Sequence, residues 1–234
     1  MTPNKLTGSG NLSSACPGQS AGLPFGIITG LTAEARLAAP LGYARAGGGT
    51  PHGATLAAEY LVTKGATALI SFGVAGGLNP ALPPGTIVIP SRIVTPDRTH
   101  TTDPALTACL GGPRHILYAG PDIVVTLAEK AHLHAETDAD AIDLESGAVA
   151  AVAGRHNLPF AAIRAILDPA SESLPPAALA ALDAAGTIGI SRVLASILRD
   201  PGQLPNLVRL TRYTAMARAA LRRHVVSLGQ IRSE

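Results

Sequence analysis

Between residues 25 and 167, short apolar runs alternate with segments of helical pattern, which leaves few architectures open. The runs at 25–29 (FGIIT), 41–46, 67–72, 86–94, 114–119, 139–143 and 158–167 read as strands. Helices are expected at 52–63, 123–133 and 145–157. Strand–helix alternation of this kind builds a largely parallel sheet covered on both faces. The expected fold class is α/β: a single domain with a central mixed, mostly parallel sheet flanked by helices, and a helical C-terminal part. Three further helices are expected there, at 175–185, 190–200 and about 203–227. Residues 1–22 read as a flexible tail without an apolar signal segment, and 23–234 as the domain.

Composition narrows the function. Hydrophobic residues make up 47% of the chain, which excludes global disorder, and aromatics only 3%, so Ala, Leu, Ile and Val must fill the core. The formal charge of +2, with no basic patch interleaved with aromatics, argues against a nucleic-acid partner. Two cysteines, Cys16 and Cys109, do not suggest a disulfide framework, so a cytoplasmic setting is expected. The apolar runs are all too short to cross a bilayer. The seven histidines show no ligand spacing, so no metal is expected; His132 and His134 flank one leucine in a polar stretch.

Ligands of open α/β sheets collect at the carboxyl ends of strands. That singles out Thr29–Glu34, Gly73–Leu78, Asp143–Ser146 and Leu167–Pro169. Each acid there also has a plain explanation. Glu34 and Glu145 stand where helices start and would favour the dipole, and Asp168 before Pro169 could cap a turn. A strand-end acid in a cleft can equally be a general acid if burial raises its pKa. The glycines of FGVAGGLNP, at Gly73, Gly76 and Gly77, lack the spacing of a dinucleotide cradle but allow close approach of a ligand.

Four segments in order, FGIITGLTAEARL, ISFGVAGGLNPALPPGTIVIP, AIDLESGAVAAVA and LPFAAIRAILD, resemble the nucleoside phosphorylase superfamily, specifically methylthioadenosine/S-adenosylhomocysteine nucleosidases. SFGVAGGLNPALPPG, DLES, DPASESLPPAALAALD and RDPGQLPNLVRL resemble the hopanoid-associated phosphorylase subfamily. The resemblance implies cleavage of the N-ribosidic bond of a 5′-substituted adenosine, with adenosylhopane, a lipid-linked nucleoside, as substrate. Glu145 would bind the ribose hydroxyls beside Leu144, Asp168 would protonate adenine at N7, and Glu34 would position the attacking water. Val74, Ala75 and Gly76 of the glycine loop would face the substrate, and Val124 and Val125 would lie along the adenine. Val74 and Leu167 stand where many nucleosidases carry serine, which makes the site more apolar.

No cofactor is implied, and phosphate as a co-substrate stays open. The resemblance places Glu34 where phosphorylases carry a phosphate-binding arginine, which favours water, whereas Arg36 and Gly47–Thr50 offer other donors. A homodimer is expected by analogy. In the last helix Leu204, Leu207, Val208, Leu221 and Val225 form an apolar set, and Arg209, Arg212, Arg218, Arg222 and Arg223 crowd the polar side. Such a helix either closes the core or rests peripherally on anionic lipid.

Overall fold

The structure is a computed structural model that describes residues 25–175, 200, 202 and 204–231. The strands among them are β1 (Phe25–Thr29), β2 (Gly42–Ala46), β3 (Leu69–Gly77), β4 (Ile87–Val88), β5 (Pro90–Val94), β6 (Thr99–Thr101), β7 (His115–Ala119), β8 (Ala141–Asp143) and β9 (Phe160–Ile166). The helices are α1 (Thr32–Ala38), α2 (Pro51–Thr63), α3 (Pro104–Cys109), α4 (Leu127–Thr137), α5 (Ser146–Arg155) and α6 (Leu204–Ile231).

β3 is the hub. It pairs in parallel with β1 and β9 and antiparallel with β8 through its glycine end. β8 continues through β7 to β5, both in parallel. The apolar run expected as one strand at 86–94 is divided at Ile89. Its first part, β4, pairs antiparallel with β9, and its second, β5, pairs with β7. One continuous segment therefore joins both ends of the β9–β3–β8–β7–β5 series, and the strands close on themselves.

Side-chain alternation sends Ile28 and Leu69 to one face of the sheet and Ile27 and Ile70 to the other. α2 and α5 cover the first face, contributing Ala54, Leu61, Val149 and Val152. α3 and α6 cover the second, contributing Leu106, Leu221 and Val225. With both faces covered, the strands can be apolar throughout, and all seven residues of β9 are buried.

Local chemistry sets the boundaries. Thr50 caps α2 through its hydroxyl and Pro51 follows at the first helical position. The helix expected at 123–133 begins only at Leu127, because Thr126 and Glu129 form a reciprocal capping box there. It ends at Asp138 in the left-handed conformation. The expectations at 1–22 and 190–199, and nearly all of 175–185, fall outside the described residues.

α6 differs from its expected face. Leu221 and Val225 are buried with Ala217, Ala220 and Leu228, but Leu204 and Val208 are exposed. Only the C-terminal half of the helix closes the core. All five arginines on it are exposed. Among the described residues no helix is long and apolar enough to cross a membrane. Cys16 lies outside the described residues.

Candidate active site

β1, β3 and β9 run parallel side by side, so their carboxyl ends emerge together. β8 runs back along the glycine end of β3 and delivers Asp143, Leu144 and Glu145 to the same place. A cavity of about 250 Å³ opens there. Glu34, Val74, Ala75, Gly76, Val124, Leu144, Glu145 and Asp168 all line it. Val125 does not; Ile123 lines the cavity in its stead. The backbone of Val125 instead donates to the Glu129 side chain at the start of α4 and accepts from Leu174. Leu31, Ile142, Leu167 and Leu174 complete a mostly apolar wall.

Glu34 is buried, and backbone N–H groups fix both its oxygens. Leu31 donates to Oε2 at 2.9 Å and Val74 donates to Oε1 at 3.0 Å. Burial raises its pKa, while the Leu31 N–H and the Arg164 charge oppose that rise. Glu145 stands at the N-terminus of α5, but it is not there merely to satisfy the helix dipole. Its side chain makes no cap hydrogen bond, and its buried Oε1 has no partner. Its Oε2 lies 3.7 Å from Arg164 Nη2. Burial pushes its pKa up to about 7, against the pull of Arg164.

Among the described residues Arg164 is the largest fully buried side chain, and no motif singled it out. Its Nε donates to Asp143 at 2.5 Å and its Nη2 to Ser71 Oγ at 2.6 Å, and Ser146 bonds Asp143 beside it. Nη1 has no partner. Asp143 accepts from the N–H groups of Glu145 and Ser146, so it both caps α5 and anchors the guanidinium. The signal for Arg164 was its type: one arginine inside an otherwise apolar strand must be paired.

Gly73 is required by this crowding. A Cβ there would lie 2.8 Å from Arg164 Nη1 and 2.9 Å from Glu34 Oε1. Gly48 and Gly49 take left-handed conformations after β2, and Gly49 borders the cavity. Of the donors considered for phosphate, Arg36 is exposed and does not line the cavity.

Asp168 belongs to a second charged cluster at the cavity. It is buried, and Lys130 Nζ donates to its Oδ2 at 2.6 Å. Burial raises the Asp168 pKa, and the Lys130 charge opposes the rise. Lys130 was also missed, since a lysine on a polar helix reads as solvated. Elsewhere, His132 faces Glu136 and His134 bonds the Ala139 carbonyl.

Residues 29–198 match the family model described as the phosphorylase superfamily. No curated protein matches the chain. Native futalosine hydrolase of Helicobacter pylori superimposes with a TM-score of 0.62 at 16% identity, covering 88% of this chain and 97% of that one. The 5′-methylthioadenosine/S-adenosylhomocysteine nucleosidase of Campylobacter jejuni gives 0.59 at 18% identity, with 86% and 99% covered. S-adenosylhomocysteine nucleosidase of Streptococcus pyogenes, solved with 5-methylthiotubericidin, gives 0.57 at 19% identity, with 63% and 84% covered. At such identities the likeness establishes the fold.

Proposed function

Because this chain belongs to the phosphorylase superfamily, we propose that it cleaves the N-ribosidic bond of a 5′-substituted adenosine by hydrolysis. One observation carries the reading: Glu34, Glu145 and Asp168, delivered from three strand ends, converge buried on one apolar cavity. Asp168 gives its proton to purine N7 as the C1′–N9 bond breaks and the electron pair leaves with the base. Glu145 accepts hydrogen bonds from the ribose hydroxyls. Its charge and that of Glu34 favour the cationic sugar that develops. Water adds to C1′ and passes its proton to Glu34, whose burial brings it closer to a useful base at neutral pH.

The specific substrate we favour is adenosylhopane, giving adenine and ribosylhopane. In support, Leu31, Val74, Leu167 and Leu174 present hydrocarbon to the cavity, with no hydroxyl among them. The same reading has a cytoplasmic homodimer that meets a lipid-linked substrate by peripheral membrane contact. Phosphorolysis is the second reading, and the unpartnered Arg164 Nη1 favours it as a buried donor for an anion. Against it stand the carboxylates on the same wall, which repel phosphate.

The test is adenine release from a short 5′-alkyl adenosine, with and without phosphate, beside methylthioadenosine. Fast release without phosphate supports hydrolysis. Release only with phosphate replaces it with phosphorolysis, and preference for methylthioadenosine removes the lipid-linked substrate. No release from any of them overturns the reading.

A further inference from the structure

A lysine with no exposed surface is unusual enough to need a reason, and Lys130 has none to offer as a solvated helix residue. All three of its donors are used. One goes to Asp168 Oδ2 at 2.6 Å, and the others to the carbonyls of Pro169 at 2.9 Å and Glu172 at 2.8 Å. The ammonium thus neutralises one carboxylate and closes the turn that follows β9. That turn also wals the cavity, because Leu174 at its far end lines it and donates to the Val125 carbonyl. α6 holds the same turn from outside: Tyr213 Oη and Arg209 both donate to Glu172 Oε1.

The pairing makes the two oxygens of Asp168 unequal. Oδ2 is taken by Lys130. Both oxygens lie toward Gly76, at 3.5 and 3.6 Å from where an added Cβ would stand, so they differ in pairing and not in position. Gly76 itself borders the cavity.

We propose that Lys130 is a positioning residue for departure of the base: it occupies Oδ2, leaves Oδ1 to carry the proton into the cavity, and fixes the turn that walls the base site. This rests on the reading of Asp168 as the acid. The charges acting on Asp168 are Lys130 from α4 and Glu172 from its own turn, with Arg209 of α6 acting through Glu172. Asp122, Glu34, Glu145, Asp143 and, behind them, Arg164 belong to the rest of the cavity. An acid works while protonated, so activity is lost as pH rises through its pKa. The ammonium favours the carboxylate, so its removal makes Asp168 hold its proton to higher pH.

The experiment pairs turnover with a readout that needs none. Carboxyl 13C titration of Asp168, assigned with Asp168→Asn, is followed in the wild type, Lys130→Met and Lys130→Arg. In Lys130→Met the midpoint should rise by about one to three units. kcat should fall about 10²-fold with KM little changed, and the upper pH limb should follow the midpoint. Lys130→Arg should restore part of each. An unmoved midpoint in folded Lys130→Met overturns the proposal. In the wild type, the Lys130 15Nζ shift should track the Asp168 titration, and a flat response overturns it without any variant. A moved midpoint in protein that never releases adenine would sink the nucleosidase reading instead and leave the coupling of Lys130 to Asp168 standing.

Discussion

The two walls of the cavity solve the same problem in opposite ways. On one, a single guanidinium serves Asp143, Glu145 and Glu34, so carboxyl groups outnumber cations. On the other, a single ammonium serves a single carboxylate, Asp168. Buried charge is costly unless paired, and an excess of carboxylates is doubly so. The surplus is reasonable only where positive charge develops, next to the sugar. The neutral pair is reasonable where a proton must be delivered to a leaving base. On the proposed mechanism, the difference between the walls follows where charge appears during the reaction.

The sharpest way to break that correspondence is Asp168→Asn, which keeps shape and hydrogen bonding but removes the proton donor. Adenine release should fall by ~10²–10⁴-fold, with nucleoside binding retained, as read by kcat and by equilibrium binding. Unchanged kcat would mean the two walls do not divide the work as described.

Arg164→Met tests the crowded wall. It leaves the Asp143, Glu145 and Glu34 carboxyls buried without their shared cation. Removing one partner of such a cluster costs about 3–5 kcal/mol. Chemical denaturation at neutral pH should read a loss of that size. A loss below 1 kcal/mol, on the order of an exposed pair, would show that the carboxylates do not depend on it.

Glu145 gives the comparison a pH axis. Its ordinary pKa of 4.5 is raised to about 7 in the folded protein. The folded state therefore holds the proton more tightly than the unfolded chain. Its contribution to stability is fully present below about 4.5 and is lost as pH rises through about 7. Between those values the wild type should lose about 3 kcal/mol relative to Glu145→Gln. Parallel stability curves for the two proteins would contradict the raised Glu145 pKa on this wall.

How much of this was legible in the sequence depends on what kind of signal each residue left. Strands β1, β2, β7 and β9 followed from apolar runs bounded by Gly, Pro or charge, and the acids at strand ends followed from their positions. The break at Ile89 was not legible, because one apolar run serves two pairings and nothing local marks the switch. β6 and α3 were missed, being three and six residues long. In the site, carboxylates at chain landmarks were found and their cations were not. Arg164 hid in a strand whose motif was read for its ends, and Lys130 in a helix whose mean pattern is polar. Pairing is a long-range fact: 21 residues separate Asp143 from Arg164, and 38 separate Lys130 from Asp168.

Gly73→Ala sharpens the crowded wall without touching a charge. The new methyl would meet Arg164 Nη1 and Glu34 Oε1 inside contact distance. Overpacking of this kind costs about 1–3 kcal/mol. Stability should drop by that amount and kcat with it, while the Asp168 titration stays in place. A shift of the Asp168 midpoint in this variant would show that the two walls are not independent.

The smallest expected effect concerns neither wall but the apolar rim between them. Val74 lines the cavity and its backbone N–H anchors Glu34, so its side chain can change without losing that anchor. Val74→Thr keeps nearly the same volume and replaces a methyl by a hydroxyl. If the 5′ group packs here, loss of that methyl should lower kcat/KM for a 5′-alkyl adenosine about tenfold, because a methylene in an apolar pocket is worth about 1–3 kcal/mol. Turnover of a nucleoside with a polar 5′ group should stay level or rise, since the threonine hydroxyl then has a partner. The ratio of the two kcat/KM values is the quantity to measure, because it cancels any general loss of activity. An unchanged ratio would move the 5′ substituent away from Val74 and leave Leu31, Leu167 and Leu174 as the surfaces to vary next.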